Sequence, residues 1–72
     1  MLKIKRTNLD SEYEVVGHNW DGYGDGKISP IYIYKSCDDG AWTDNYIGGS
    51  HQTLRECKAD VFELLNTNGL VA

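Results

Sequence analysis

Apolar and polar positions follow two rhythms along this chain. From Thr53 onward, apolar residues fall at Leu54, Cys57, Val61, Leu64 and Leu65, the three-and-four spacing of a helix with one buried stripe. Phe62 sits at the edge of that stripe. Lys58 lies within its margin, where its stem can cover the core while the ammonium stays in water. Glu56, Ala59, Asp60 and Glu63 point away, which predicts an acidic outer face. Thr53 followed by Glu56 is a capping-box start. Asn68-Gly69-Leu70 is a Schellman stop, with Gly69 in the left-handed conformation and Leu70 folded back onto Leu65. These signals predict a helix of about four turns over 53–68.

Before Thr53 the period is two. Leu2 to Arg6 alternates with Leu2 and Ile4 inward, and its lysines suit an edge strand. Thr7 to Ser11 is turn-rich. Glu12 to Val16 predicts a second strand with Tyr13 and Val15 on one face. Trp20 to Gly26 carries three glycines, two aromatics and two acids in seven residues, which predicts an exposed loop. Lys27 to Tyr34 has the richest β-branched and aromatic content, with Ile31 and Ile33 on one face and Tyr32 and Tyr34 on the other. Pro30 belongs near its start. Asp38-Asp39-Gly40 is a hairpin signal. Ala41 to Ile47 returns as a strand, with Trp42, Asp44 and Tyr46 on one face and Thr43 and Ile47 on the other. Gly48-Gly49-Ser50 then releases the chain into the helix.

The expected architecture is α+β: a three- to four-stranded antiparallel sheet with one C-terminal α-helix packed on one face. One domain spans 1–72, with sheet over about 1–48. The isoleucine face suits the helix. The opposite face would present Tyr32 and Tyr34, with Trp42 open between joining that face with Tyr46 and anchoring the helix, and an uncovered aromatic face leaves room for a homodimer.

Size and charge narrow the reading. A chain of 72 residues holds a small core. No run is long and apolar enough for a membrane span, and the N-terminus lacks the apolar segment of a secretory signal, which predicts a cytoplasmic protein. Cys37 and Cys57 are then expected as free thiols, Cys57 buried on the helix stripe and Cys37 exposed before a turn. The net charge of -4 is unevenly spread. Lys3, Lys5 and Arg6 make the first strand basic. Asp10, Glu12, Glu14, Asp21, Asp25, Asp38, Asp39 and Asp44 face only Lys27 and Lys35 over 7–52, so the middle of the chain repels phosphate.

No arrangement of residues specifies a reaction. Asp21 to Ser29 resembles the front of an EF-hand calcium loop, with Asp21, Asp25, Gly26 and Ile28 at matching places. Tyr23 and Tyr32 replace two ligand positions, one of them the bidentate glutamate, so no metal is expected. His18 reads as an exposed turn histidine and His51 as a residue on the approach to the helix. Neither is spaced to activate Cys37. Asp38 and Asp39 read as turn residues. No phosphate-binding glycine motif is present. The expectation is a protein without enzymatic activity or cofactor.

Two resemblances bear on function. The Trp42 strand leading through a turn to Thr53-Leu54 resembles the three-strand-and-helix DNA-binding domain at the N-terminus of phage-type integrases, over roughly 28–66. That domain is basic on its sheet and this chain is acidic. In size and charge the chain is similar to small acidic accessory proteins of phages and mobile elements, including anti-CRISPR proteins. That resemblance implies a non-enzymatic module that inhibits or modulates a basic, nucleic-acid-handling host complex. Its protein-binding residues would be Trp20, Asp21, Tyr23, Asp25, Tyr32, Tyr34, Asp38, Asp39 and Asp44. Aromatics supply contact area and acids steer a basic partner. The alternative is a small DNA-binding accessory domain using Lys3, Lys5 and Arg6.

Overall fold

A computed structural model describes residues 1–72. It contains β1 (Lys3–Arg6), β2 (Glu12–Val16), β3 (Ile31–Lys35), β4 (Trp42–Asp44) and α1 (Leu54–Thr67). The strands form one antiparallel meander in the order β1-β2-β3-β4. The helix lies across β3 and β4. This is the expected α+β sheet-and-helix arrangement. No helix is long and apolar enough to cross a membrane.

Register decides which residues reach the core. Val15 stands opposite Ile31, and Ile33 stands between Tyr13 on β2 and Asp44 on β4. Val15, Ile31 and Ile33 therefore share the helix face. They close with Cys57, Val61 and Leu65 into the buried cluster, with Leu2, Ile4, Trp20, Trp42, Tyr46, Leu54, Phe62 and Leu70 packed around it. The opposite face is uncovered and carries Tyr32 and Tyr34 beside Glu14 and Glu12. Trp42 and Tyr46 do not join it. Trp42 stands opposite Lys35, on the helix side, with its ring 6.2 Å from Tyr13. Tyr46 lies past the end of β4, in a turn, with its ring 5.0 Å from Trp20. The uncovered face thus mixes aromatics and acids with Lys3 and Lys5 of β1.

The helix ends where its sequence predicts, with the Thr53 half of the capping box formed. Thr53 Oγ1 accepts from the Glu56 N–H at 3.2 Å. At the other end the Leu70 N–H donates to Leu65 and the Gly69 N–H to Asn66, a full Schellman pair, with Gly69 at φ +70°. The rotation of the helix differs from the expected stripe. Cys57, Val61 and Leu65 form its buried line, flanked by Leu54 and Phe62, while Leu64 is 37% exposed. Lys58 is half-buried with its ammonium 5.4 Å from the Phe62 ring centroid, on the flank of the buried line opposite Leu64.

Strand ends are also trimmed. Ile28 falls in the loop before β3, where it is 64% exposed, and Ile47 falls in the turn after β4, where it is 41% exposed. The chain after the turn comes back beside β4. Trp42 and His51 exchange both backbone hydrogen bonds, which covers what would otherwise be a free edge.

The segment after β2 is tied to the C-terminus. Gly17 has φ +88°, and a Cβ there would meet the Met1 carbonyl oxygen at 2.1 Å, so only glycine fits. Ala72 N–H donates to Gly17 and Asn19 N–H to Leu70, with His18 bridging Val71. His18 is buried, not exposed as its turn position suggested. Its Nδ1 accepts from the Trp20 N–H at 3.0 Å. Burial pushes the imidazole below its ordinary 6.5, against the opposing pull of Glu14 and the Val15 backbone. Protonation would remove the lone pair that receives Trp20.

Two predictions follow from this packing. In urea unfolding, Leu65→Ala should cost about 2–5 kcal/mol, a large part of the roughly 4–10 kcal/mol total for a chain of this size, while Leu64→Ala should cost under about 1 kcal/mol. Equal costs would mean that the helix sits in the other rotation. For His18, the unfolded chain binds the proton more readily than the folded one. Its contribution to stability is therefore complete above about pH 6.5 and is lost progressively as pH falls from there towards the folded value. Thermal melts between pH 7.5 and 5.5 should show a falling Tm, and His18→Asn, which keeps an acceptor near the Nδ1 position, should flatten that slope.

Candidate interaction surface

The loop between β2 and β3 is closed at its neck and braced from within. Ser29 N–H donates to Trp20 O at 2.7 Å, and Gly22 N–H donates to Ser29 Oγ at 2.8 Å, with Ser29 buried. Inside the loop the Asp21 carboxylate accepts from Gly24 and Asp25 through Oδ1 and from Gly26 through Oδ2. Gly24 and Gly26 adopt left-handed φ values of +69° and +79°, which turn successive amides inward. These amides, that of Gly26 foremost, hold the Asp21 carboxyl below its ordinary 3.8. The oxygens that an EF-hand loop would aim at calcium are here occupied by backbone, and no cluster of His, Cys, Asp or Glu is arranged to hold a metal ion.

This bracing sets what the loop presents. Tyr23 is 86% exposed. Asp25 is exposed, with Oδ1 accepting from the Lys27 N–H at 3.0 Å. Trp20 behaves differently from the expectation of an exposed loop aromatic. Its ring lies against Gly22, where a Cβ would come within 2.8 Å, and edge-on to Tyr46. Tyr46 in turn accepts from the Asn68 side-chain amide through its hydroxyl oxygen at 2.8 Å. Trp20 is thus a half-buried wall rather than a free side chain. Together Trp20, Gly22, Tyr23, Ser29, Pro30 and Asn45 line a cleft of about 250 Å³. Asn45 closes it by accepting from the Tyr32 N–H and donating to the Pro30 carbonyl.

The other expected contact residues are dispersed. Tyr32 is half-buried and Tyr34 is 37% exposed, both on the uncovered sheet face. Asp38 and Asp39 stand exposed at the β3–β4 hairpin tip, where Asp39 Oδ1 accepts from the Ala41 N–H. The cleft is at the start of β3 and the tip is past its end, about 16 Å apart along five residues of strand. Asp44 is not a surface acid at all. It is 2% exposed and faces the core beside Ile33. Its Oδ1 accepts from the Tyr46, Ile47 and Gly48 amides, and its Oδ2 accepts from the Cys57 thiol at 3.6 Å.

Two further features were not legible as sites. His51 Nε2 and Asp60 Oδ2 are 2.6 Å apart, tying the helix approach to α1, while His51 Nδ1 is buried without a partner. A carboxylate partner calls for a hydrogen on Nε2, and in the neutral imidazole Nδ1 is then a bare acceptor. The second feature is a groove of about 260 Å³ lined by Ile47, Asp60, Glu63, Leu64 and Thr67. The first spans nine positions, and the second joins Ile47 to helix residues 13 to 20 positions on. Of the thiols, Cys37 is free and exposed and Cys57 is free and buried, the latter pushed up to about 12 by burial and by Asp44 and Asp60. The Cys57 thiol therefore stays protonated and acts as a small core side chain. Comparison with protein-family models, curated proteins and solved structures gives no match.

The two carboxylates that hold backbone amides should respond differently to removal. Asp21→Ala should speed hydrogen exchange at the Gly24 and Gly26 amides at least tenfold while leaving the Tm nearly unchanged, because that loop touches the core only through Trp20. Asp44→Ala removes the buried acceptor of the Tyr46, Ile47 and Gly48 amides and of the Cys57 thiol, and should cost on the order of 1–3 kcal/mol. Acid should mimic the first change. The loop bonds are complete above about pH 4 and are lost as pH falls through the lowered Asp21 value, since protonation is favoured in the open chain.

Proposed function

We propose that this protein is a non-enzymatic binding module for a protein partner with a basic surface, and that it inhibits or modulates a complex that handles nucleic acid. The observation that carries the reading is Tyr23, an aromatic ring 86% exposed on a loop that Asp21 holds in one shape, beside a cleft. Large exposed aromatics are the commonest anchors of protein interfaces, and an anchor already held in place loses little entropy on binding. Exposed Asp25, Asp38 and Asp39 supply a field that steers a cationic partner from two ends of the sheet. Asp44 has no part in it, and Asp21 acts by shaping the loop. The free thiols suit the cytoplasm.

The DNA-binding alternative draws less support. Lys3 and Lys5 lie on the uncovered face with Tyr32 and Tyr34, but Glu12 and Glu14 stand between them. Lys5 Nζ is already 3.8 Å from Glu14 Oε1. The face is close to neutral, where a phosphate backbone needs a net positive track.

The test is retention of partners from a nuclease-treated lysate on immobilised wild-type protein and on Tyr23→Ala and Asp25→Lys. Both positions are exposed, so circular dichroism melts should be unchanged. The expected outcome is a discrete basic partner whose affinity falls roughly 30-fold or more with Tyr23→Ala, the scale of an interface hot spot. Equal retention by all three proteins sinks the reading. Loss of every partner on nuclease treatment moves the assignment to the DNA-binding domain.

A further inference from the structure

We propose that the groove between α1 and the turn after β4 takes the arm of a lysine or arginine presented by a basic segment of a protein partner. Ile47 and Leu64 supply its apolar surface, 41% and 37% exposed, and Asp60, Glu63 and Thr67 complete the lining. One exposed leucine is ordinary; two branched aliphatics lining one groove with two carboxylates have a specific complement. A lysine or arginine matches both halves, with its methylene stem along the aliphatics and its cationic head at the acids.

The charges are unspent. Asp60 and Glu63 are three residues apart, and so neighbours on one face of α1. No lysine or arginine lines the groove. Lys58, on the same helix, is directed over Phe62 instead. Glu63 has no hydrogen-bond or ion-pair partner. Asp60 uses Oδ2 for His51, which fixes the side chain and leaves Oδ1 unpaired. The volume of about 260 Å³ lies just below the roughly 300–1,000 Å³ of small-molecule sites, which suits a single side chain.

Both walls are built in advance. The Asp44 carboxylate fixes the turn that carries Ile47 through its three amide bonds, and the His51 contact fixes Asp60. The same turn lines both clefts, Asn45 the first and Ile47 the second. A basic segment passing over this turn can meet Trp20 and Tyr23 as well as the acid-rimmed groove. The proposal rests on the reading of this molecule as a module for a basic partner, and adds a second, chemically defined contact to it.

The test is a ¹⁵N–¹H NMR titration of the whole chain with a capped pentapeptide of alternating arginine and leucine. A peptide with glutamate in place of arginine serves as the control. The expected result is saturable shifts at Ile47, Asp60, Glu63, Leu64 and Thr67, absent with the control. Glu63→Lys and Leu64→Ser should each weaken binding at least tenfold, and both positions are exposed enough to leave the fold intact. Non-saturating shifts shared equally with Asp38 and Asp39 would overturn the proposal, as would undiminished binding by both variants. Shifts at Tyr23 and Asp25 without shifts in the groove would overturn it while leaving the loop reading in place. Groove shifts alone would support it and count against the loop. Concentration-dependent shifts at Ile47 and Leu64 without peptide would make a second copy of the chain the occupant and overturn it as well.

Discussion

The structure depends on one buried carboxylate. Asp44 ends β4 with its side chain turned towards the helix, where alternation along the strand leaves no choice once Trp42 faces the core. An unpaired carboxylate there would cost several kcal/mol. It is tolerated because the next residues curl around it, three amides onto Oδ1, and because Cys57 offers a thiol from the helix. That single group therefore stops the strand, shapes the turn and ties both to α1. The direction in which the chain leaves the sheet is set by Asp44, and with it the position of Tyr46, Ile47 and the return past His51.

The same device is used twice, with different results. Asp21 also gathers three following amides, but at the surface, where water would satisfy those amides if the acid were absent. Its gain is order rather than burial: an exposed loop with three glycines held to one shape. This changes how the charge of the chain should be read. Of the eight acids between 7 and 52, Asp44 is buried and Asp21 gives both oxygens to backbone amides, so neither is free to pair directly with a partner's cation.

What the sequence disclosed was what local chemistry decides. The helix, its cap at Thr53 and its stop at Gly69 are written in adjacent residues, and the strand pairs follow from alternation and the Asp38-Asp39-Gly40 turn. Tyr23 was legible as exposed because glycines surround it. Alternation says which residues share a face but not which face is inside, so Trp42 stayed open between core and surface and Asp44 was taken for a surface acid. Helical spacing leaves the rotation of a stripe open by about one residue, so Leu64 was taken as core, whereas the helix is turned towards its other flank, where Phe62 packs on the core. Ile28 and Ile47 read as strand from their type, yet Asn45 side-chain bonds and the Asp44 turn end β4 before Ile47 is reached. His18 looked like a turn residue because its burial depends on the C-terminal tail, more than 50 positions away.

These misreadings share a cause, and it bears on function. Each concerns a residue whose surroundings the neighbouring sequence does not fix, and those displaced outward make surface. Leu64 and Ile47, excluded from the core by helix rotation and by the turn, become the apolar lining of the acid-rimmed groove. Trp20, drawn inward by Tyr46 and Gly22, becomes the wall of the cleft rather than its bait. A chain of 72 residues has few side chains to spare, and its six-residue core leaves most of its aliphatics and aromatics only partly covered. Partial cover by itself signifies nothing. What distinguishes the two clefts is that their walls are fixed by Asp21, Asp44 and the His51–Asp60 contact. The carboxylates that hold this small fold together also hold its contact surface in place.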